Sequence, residues 1–181
     1  MSLSGMFPEQ RISPNQMDGE TSERSMPEFN ESKEPAVDVL IENLVSLCSY
    51  LDKLYMQSHL IHLNIEGPLF FPLHKFFKKQ YTQLVEEFDT IAELVRSMDY
   101  LMPMCERGLD NVCSKFTHVN SYNARDMSTT YLQNLEDCGL KAKDIIDLAR
   151  QAEAPDVENL LANTVNFCFK SSWMLKATLR N

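Results

Sequence analysis

Apolar residues recur at intervals of three and four along four long stretches of the chain. This spacing is typical of helices that bury one face. Few glycines interrupt the stretches, which favours helices over a fold with many turns. The expected helices cover about 35–67, 68–102, 123–152 and 155–180.

Local signals support these boundaries. Pro35 and Pro155 suit the first turn of a helix, and Asn123 is a good N-cap with Asp126 in the turn that follows. The less regular segment from about 103 to 123 has room for one short helix, around Leu109 to Phe116. A long connection between the second and third helices is typical of a ferritin-like four-helix bundle, so we expect an all-α fold with that crossover.

The first 34 residues differ from the rest of the chain. They are rich in Ser, Pro, Glu and Asn, and their few apolar residues show no periodicity. We therefore predict a flexible acidic tail over residues 1–34 and a helical domain over 35–181.

The formal net charge of −9 favours metal ions or protein partners over nucleic acid. The tail has seven acidic against three basic residues, and DNA binding needs cationic side chains, so we expect none by this route. The chain has no apolar run of the ~20 residues that span a bilayer. It also has no secretory signal, which predicts a cytoplasmic protein with no membrane partner.

The five cysteines form no C-x-x-C pair and are odd in number. We predict that they are reduced and buried as small hydrophobic residues. Cys105, Cys113 and His118 lie close in sequence, but their spacing matches no common zinc site.

Three of the four histidines, His59, His62 and His74, fall in one stretch, and Asp89 and Glu93 follow four residues apart. A separation of four places both carboxylates on one helix face. Imidazole and carboxylate ligands together suit iron, zinc or manganese. Each residue taken alone also fits an ordinary polar surface position.

Spacing restricts how these groups can meet. His74 and Asp89 lie fifteen residues apart on one expected helix, which separates their Cα atoms by about 22 Å. A single metal needs its ligands at roughly 2 Å. The two ends of the helix can therefore share a metal only if two copies lie antiparallel across a twofold axis.

This stretch resembles the signature of the Dps family of mini-ferritins, which reads H-W-N-x-x-G-x-x-F, then a second His, a nearby Asp, and D-x-x-x-E. The resemblance covers about residues 36–180 in helix order and length. The matching positions are His62, Asn64, Gly67, Phe70, His74, Asp89 and Glu93.

The resemblance implies a homo-oligomeric cage, a dodecamer built on twofold interfaces. Such cages bind ferrous iron, oxidise it with peroxide or oxygen as a ferroxidase-type oxidoreductase, store it, and protect against oxidative stress. Carried over to this chain, His62 and His74 of one subunit would meet Asp89 and Glu93 of its mate. Iron is the metal implied; zinc, or no metal, is the alternative.

This chain departs from the family pattern at two positions. The family's Asp, four residues after the second His, is Lys78, and a protonated lysine has no lone pair for a metal. The family's Trp after the first His is Leu63, while His59 is an additional potential ligand. Besides a working mini-ferritin, the sequence thus allows a cage without ferroxidase activity, in which the Lys78 ammonium lies between the partner's carboxylates in place of the metal. A helical binding module without a cage or a metal site is a third hypothesis.

Overall fold

The computed structural model describes residues 34–113 and 115–180. The predicted tail lies outside the described residues except for Glu34, at which the first helix begins. Within the described part, the chain forms five helices: α1 (Glu34–Asn64), α2 (Phe70–Ser97), α3 (Glu106–Asp110), α4 (Ala124–Gln151) and α5 (Pro155–Leu179).

The four long helices form a bundle. Helix α1 packs along α2, α4 packs along α5, and α1 joins the two pairs through contacts with α4. The segment between α2 and α4 carries α3, which contacts α1. The predicted all-α bundle with a long crossover and a short crossover helix is therefore confirmed. The largest fully buried side chains include Tyr131, Phe77, Leu44, Leu51 and Leu84.

A tight turn between α1 and α2 places the predicted site. Gly67 adopts a φ of +93°, a conformation that side-chain-bearing residues rarely adopt, and the Phe70 N–H donates to the Gly67 carbonyl at 3.0 Å. Helix α2 consequently begins at Phe70, two residues later than the apolar pattern indicates. The turn brings the end of α1 beside the start of α2.

The short crossover helix lies earlier than predicted, over Glu106–Asp110 instead of about 109–116. The Cys105 sulfur caps its start by accepting the Gly108 N–H at 3.4 Å. The Lys53 ammonium, from α1, donates to the carbonyl oxygens of Asp110 at 3.2 Å and Cys113 at 3.0 Å. This cation satisfies carbonyl groups at the end of the helix, which have no hydrogen-bond partner within the helix.

The predicted starts of the last two helices are confirmed. The Asn123 side-chain oxygen accepts the N–H groups of Arg125 at 2.9 Å and Asp126 at 3.2 Å. Pro155 is the first residue of α5. No helix among the described residues has both the length and the apolar character that crossing a bilayer requires.

Candidate metal centre

The structure brings His62 and His74 together. His62 lies in the last turn of α1 and His74 in the second turn of α2, and their rings stack with centroids 3.8 Å apart at an angle of 25°. His62 is 8% exposed and His74 is half-buried. The two histidines therefore form a compact pair beside the α1–α2 turn.

Each histidine is held by the backbone at the other. The His62 Nδ1 lies 2.9 Å from the His74 carbonyl oxygen, and the His74 Nδ1 lies 3.0 Å from the His62 carbonyl oxygen. A carbonyl can only accept, so both Nδ1 atoms must carry the proton. In the neutral rings, this tautomer leaves both Nε2 lone pairs available to a metal.

Aromatic rings surround the histidine pair. Phe70 stacks on His74 with centroids 4.9 Å apart. Tyr81 meets His62 edge-on at 5.4 Å and lies 4.5 Å from the ring of His59. The rings of His59 and His62 are 6.4 Å apart, so His59 joins this cluster without stacking on the pair.

The carboxylates lie elsewhere on the same helix. Helix α2 runs without interruption through His74 and Asp89, so the separation of about 22 Å between their Cα atoms holds within one subunit. Asp89 and Glu93 are exposed, and neither side chain has a hydrogen-bond or ion-pair partner among the described residues. One subunit thus presents two oriented imidazoles at one end of α2 and two solvated carboxylates towards the other.

Lys78 lies one turn after His74 and therefore shares its side of α2. Its side chain is exposed and makes no hydrogen bond or ion pair with described residues of its own subunit. The ammonium is consequently available to a group outside the subunit.

Among the described residues, no three His, Cys, Asp or Glu side chains of one subunit converge to hold a metal ion. A site shared between two subunits would look the same within a single chain. The four-residue site therefore stays a prediction.

The cysteines divide into two groups. Cys48, Cys138 and Cys168 are buried, and burial raises the pKa of the Cys48 thiol to about 12. The prediction that all five are buried is wrong for Cys105, which is exposed at the cap of α3, and for Cys113, which is half-buried.

The pattern of a family described as the ferritin-like domain matches residues 41–181. The chain belongs to the ferritin-like family. Among ferritin-like proteins, it is 28% identical over 127 residues to a DNA protection during starvation protein of Brevibacillus brevis, covering 70% of this chain and 85% of that protein. A second such protein, from Bacillus anthracis, is 24% identical over 126 residues, with 70% and 86% covered.

Solved Dps structures have the same ferritin-like fold. The Dps protein of Bacillus brevis is 25% identical with a TM-score of 0.76, covering 81% of this chain and 98% of that one. Dps from Thermosynechococcus elongatus is 19% identical with a TM-score of 0.79, covering 83% and 96%. The resemblance to the Dps family drawn from the sequence motif is confirmed.

Sequence reasoning missed two features of the histidine cluster. The reciprocal backbone bonds depend on how closely α1 and α2 approach, which no spacing reveals. Tyr81 follows His74 by seven residues, a helical spacing that places both on one face. That spacing is visible in the sequence, but it fits an ordinary residue of an apolar helix face equally well.

Proposed function

We propose that this protein is a subunit of a Dps-type cage that binds ferrous iron at sites shared between two subunits, oxidises it and stores it. By consuming ferrous iron and peroxide together, the cage would limit oxidative stress. The observation that carries the proposal is the histidine pair, whose Nδ1 protons are committed to backbone carbonyls while both Nε2 atoms remain free for a metal.

Each shared site would combine His62 and His74 of one subunit with the partner subunit's Asp89 and Glu93. Two α2 helices lying antiparallel across a twofold axis bring these groups together twice, once on each side of the axis. Carboxylate oxygens stabilise the ferric ion that forms when ferrous iron loses an electron, so this ligand set favours oxidation. Within the part of one subunit that the structure describes, the carboxylates have no competing partner that must first be displaced.

The exposed face of α2 supports an interface at this position. Phe71 and Val85 lie seven residues before and after Lys78, on the same face of the helix, and are 74% and 50% exposed. On α1, Met56, Leu60 and Leu63 form a second exposed apolar stripe. Exposed apolar surface of this kind favours a contact with another subunit. A homo-oligomer is what the Dps relatives support, and we propose a dodecamer.

The alternative is a cage in which Lys78 replaces the metal. An ammonium between the partner's Asp89 and Glu93 would neutralise part of their charge and hold the interface without iron. The observation that favours this alternative is that the Lys78 side chain has no hydrogen-bond or ion-pair partner among the described residues of its own subunit.

Oxidation assays on the assembled protein separate the two. Ferrous iron is added without oxygen, hydrogen peroxide follows, and ferric absorbance is recorded. We expect oxidation faster than in protein-free buffer, with loss of the protein-dependent rate in an Asp89→Asn/Glu93→Gln variant. Glu86→Gln, an equally exposed acid on α2, is the matched control and should keep the rate. A wild-type rate no higher than buffer would overturn the proposal, and activity that appears only in Lys78→Asp would establish the alternative.

Sharing between subunits has its own test. His62→Ala/His74→Ala subunits and Asp89→Asn/Glu93→Gln subunits are unfolded together and reassembled. A mixed dimer has one site with both defects and one intact site, so random mixing should restore about a quarter of the sites. If the mixture is as inactive as either variant alone although mixed dimers form, the ligands do not come from two subunits.

A further inference from the structure

Tyr81 is a phenol placed directly against the histidine half of the proposed site. Its ring lies 5.4 Å from that of His62 and 4.5 Å from that of His59. It lies one helical turn after Lys78 and is half-buried, so it borders both the cluster and solvent. The proposed iron site as described so far gives this side chain no role.

A site with one ferrous ion supplies too few electrons to reduce hydrogen peroxide to water. Reduction of hydrogen peroxide to two water molecules takes two electrons, and one ferrous ion supplies one. With a single electron, cleavage of the O–O bond yields hydroxide and a hydroxyl radical. A site that protects against peroxide therefore needs either a second ferrous ion or another electron donor.

Lys78 disfavours the second ferrous ion. The partner's Asp89 and Glu93 bring two negative charges, and Lys78 returns one positive charge to the same side of α2. One ferrous ion already makes the sum positive, and another would add two more charges close to the first. The two imidazoles and two carboxylates are also only four ligand groups, enough for one ion.

We infer that Tyr81 donates the second electron, an inference that rests on the proposed function. The balanced step takes one ferrous ion, the Tyr81 phenol, one hydrogen peroxide and one proton from solvent. It yields one ferric ion, a neutral Tyr81 phenoxyl radical and two water molecules. The O–O bond breaks, iron and the phenol are oxidised, and the phenol proton and the solvent proton both end in the water formed.

The position of Tyr81 suits this step better than that of the other nearby phenols. Tyr131 is fully buried, and its hydroxyl is committed to the Gln80 side-chain oxygen at 3.0 Å. Among the described aromatic and histidine rings, that of Tyr55 pairs only with the outlying His59, with centroids 6.1 Å apart. Tyr81 alone of the three meets a proposed ligand, His62, and its partial exposure leaves its proton a path to the water formed.

The test uses the assembled full-length protein. Anaerobic titration first measures how many ferrous ions bind per site, and we expect one. Peroxide is then added to the loaded protein. Freeze-quenched samples are examined by electron paramagnetic resonance for a tyrosyl radical, and a spin trap measures released hydroxyl radical. Wild type should show the tyrosyl signal and little trapped hydroxyl radical.

Tyr81→Phe should bind iron as wild type does, lose the tyrosyl signal and release severalfold more hydroxyl radical. Tyr122→Phe, which removes an exposed phenol outside the cluster, is the control and should match wild type. Lys78→Asp should bind two ferrous ions per site and give little tyrosyl signal.

The outcomes separate this inference from the proposed function. If wild type oxidises iron but Tyr81→Phe changes neither the radical nor the trapped hydroxyl, the role of Tyr81 is refuted and the proposed function stands. Two ferrous ions per wild-type site would refute it in the same way, because no other donor is then needed. If wild type binds or oxidises no iron, both proposals fall.

Discussion

The side-chain amide of Asn134 is bonded to both backbone polar groups of Thr117. Its Nδ2 donates to the Thr117 carbonyl at 2.7 Å, and its Oδ1 accepts the Thr117 N–H at 3.1 Å. Gln57 completes the arrangement, since its Nε2 donates to the same carbonyl at 2.9 Å and its Oε1 accepts from Asn134 at 2.9 Å. Asn134 of α4 thereby bonds the crossover backbone to the bundle in the way that a neighbouring strand would, although no strand is present there.

Replacement of Asn134 by Ala should release this segment. Asn134 is 1% exposed, so the change leaves the part-buried Thr117 N–H and the buried Gln57 side chain short of partners. We expect a loss of about 2–3 kcal/mol in the free energy of unfolding, measured by urea denaturation. Amide hydrogen exchange should rise first around Thr117. Gln133→Ala, an exposed neighbour on the same helix, is the control, and equal losses in both variants would contradict the assignment.

Gly139 should be intolerant of a methyl group. A glycine inside a helix usually gains about 0.5–1 kcal/mol on replacement by Ala. Here the added Cβ would lie 2.9 Å from the Phe169 Cε2 and 3.1 Å from the Cys168 Cβ. We therefore expect Gly139→Ala to lower the free energy of unfolding by about 1–2 kcal/mol.

The Gly139 prediction has an internal check. In the Gly139→Ala background, Phe169→Leu removes the closest ring atom and should cost less than the same change does in wild type, giving a favourable coupling in a double-mutant cycle. A Gly139→Ala protein that is more stable than wild type would show that α4 and α5 separate easily.

The N-cap of α4 can be tested alone. Asn123 satisfies two N–H groups that the helix cannot pair. Asn123→Ala should cost about 1 kcal/mol of unfolding free energy, whereas Asn123→Asp or Asn123→Ser should restore most of it. Failure of both capping residues to restore stability would show that the loss does not come from the cap.

Asp52 should make stability depend on pH. Burial, and then the nearby carboxylates of Asp110 and Glu106, raise the pKa of Asp52 above its ordinary value of 3.8, with Lys53 opposing them. The folded state therefore holds this proton more tightly than the unfolded state does. Its favourable contribution is complete below the ordinary pKa and is lost as the pH rises through the raised value.

Asp52→Asn keeps the group neutral throughout. Relative to wild type, the variant should gain a few tenths of a kcal/mol near neutral pH, and the gain should fade towards about pH 3. Urea denaturation across this range at fixed protein concentration measures the difference. Glu42→Gln, an exposed acid on the same helix, is the comparison. An Asp52→Asn gain that stays constant with pH would exclude the titration of Asp52 as its cause.

Features set by local chemistry were predictable from the sequence. Asn123 and Pro155 mark helix starts because capping and the fixed proline φ act within one turn. The position of α3 was not predictable, since the carbonyl group at its end pairs with the Lys53 ammonium, which lies 57 residues earlier in the chain. The prediction that Cys105 is buried was wrong because it rested on the average burial of cysteine. In this chain, the Cys105 sulfur caps a short exposed helix.

The same division holds at the candidate site. A motif supplied His62 and His74, and helical spacing showed that Asp89 could not reach them within one subunit. The stacking of the two imidazoles and their exchange of backbone bonds depend on how α1 and α2 approach at the Gly67 turn. Tyr81 joins the cluster for the same reason. Distances of this kind arise from packing, on which a linear pattern carries little information.

Helix α2 runs without interruption through His74 and Asp89, so it fixes the distance between these two residues. Under the proposed function, the two centres of a dimer lie about 22 Å apart, too far for the two iron ions to act on one peroxide molecule. Each centre must then complete its chemistry alone. Adding or removing one residue between His74 and Asp89 would turn the carboxylates by about 100° and misalign both centres at once. The proposed sites thus depend on the number of residues between His74 and Asp89 as well as on the identity of the ligands.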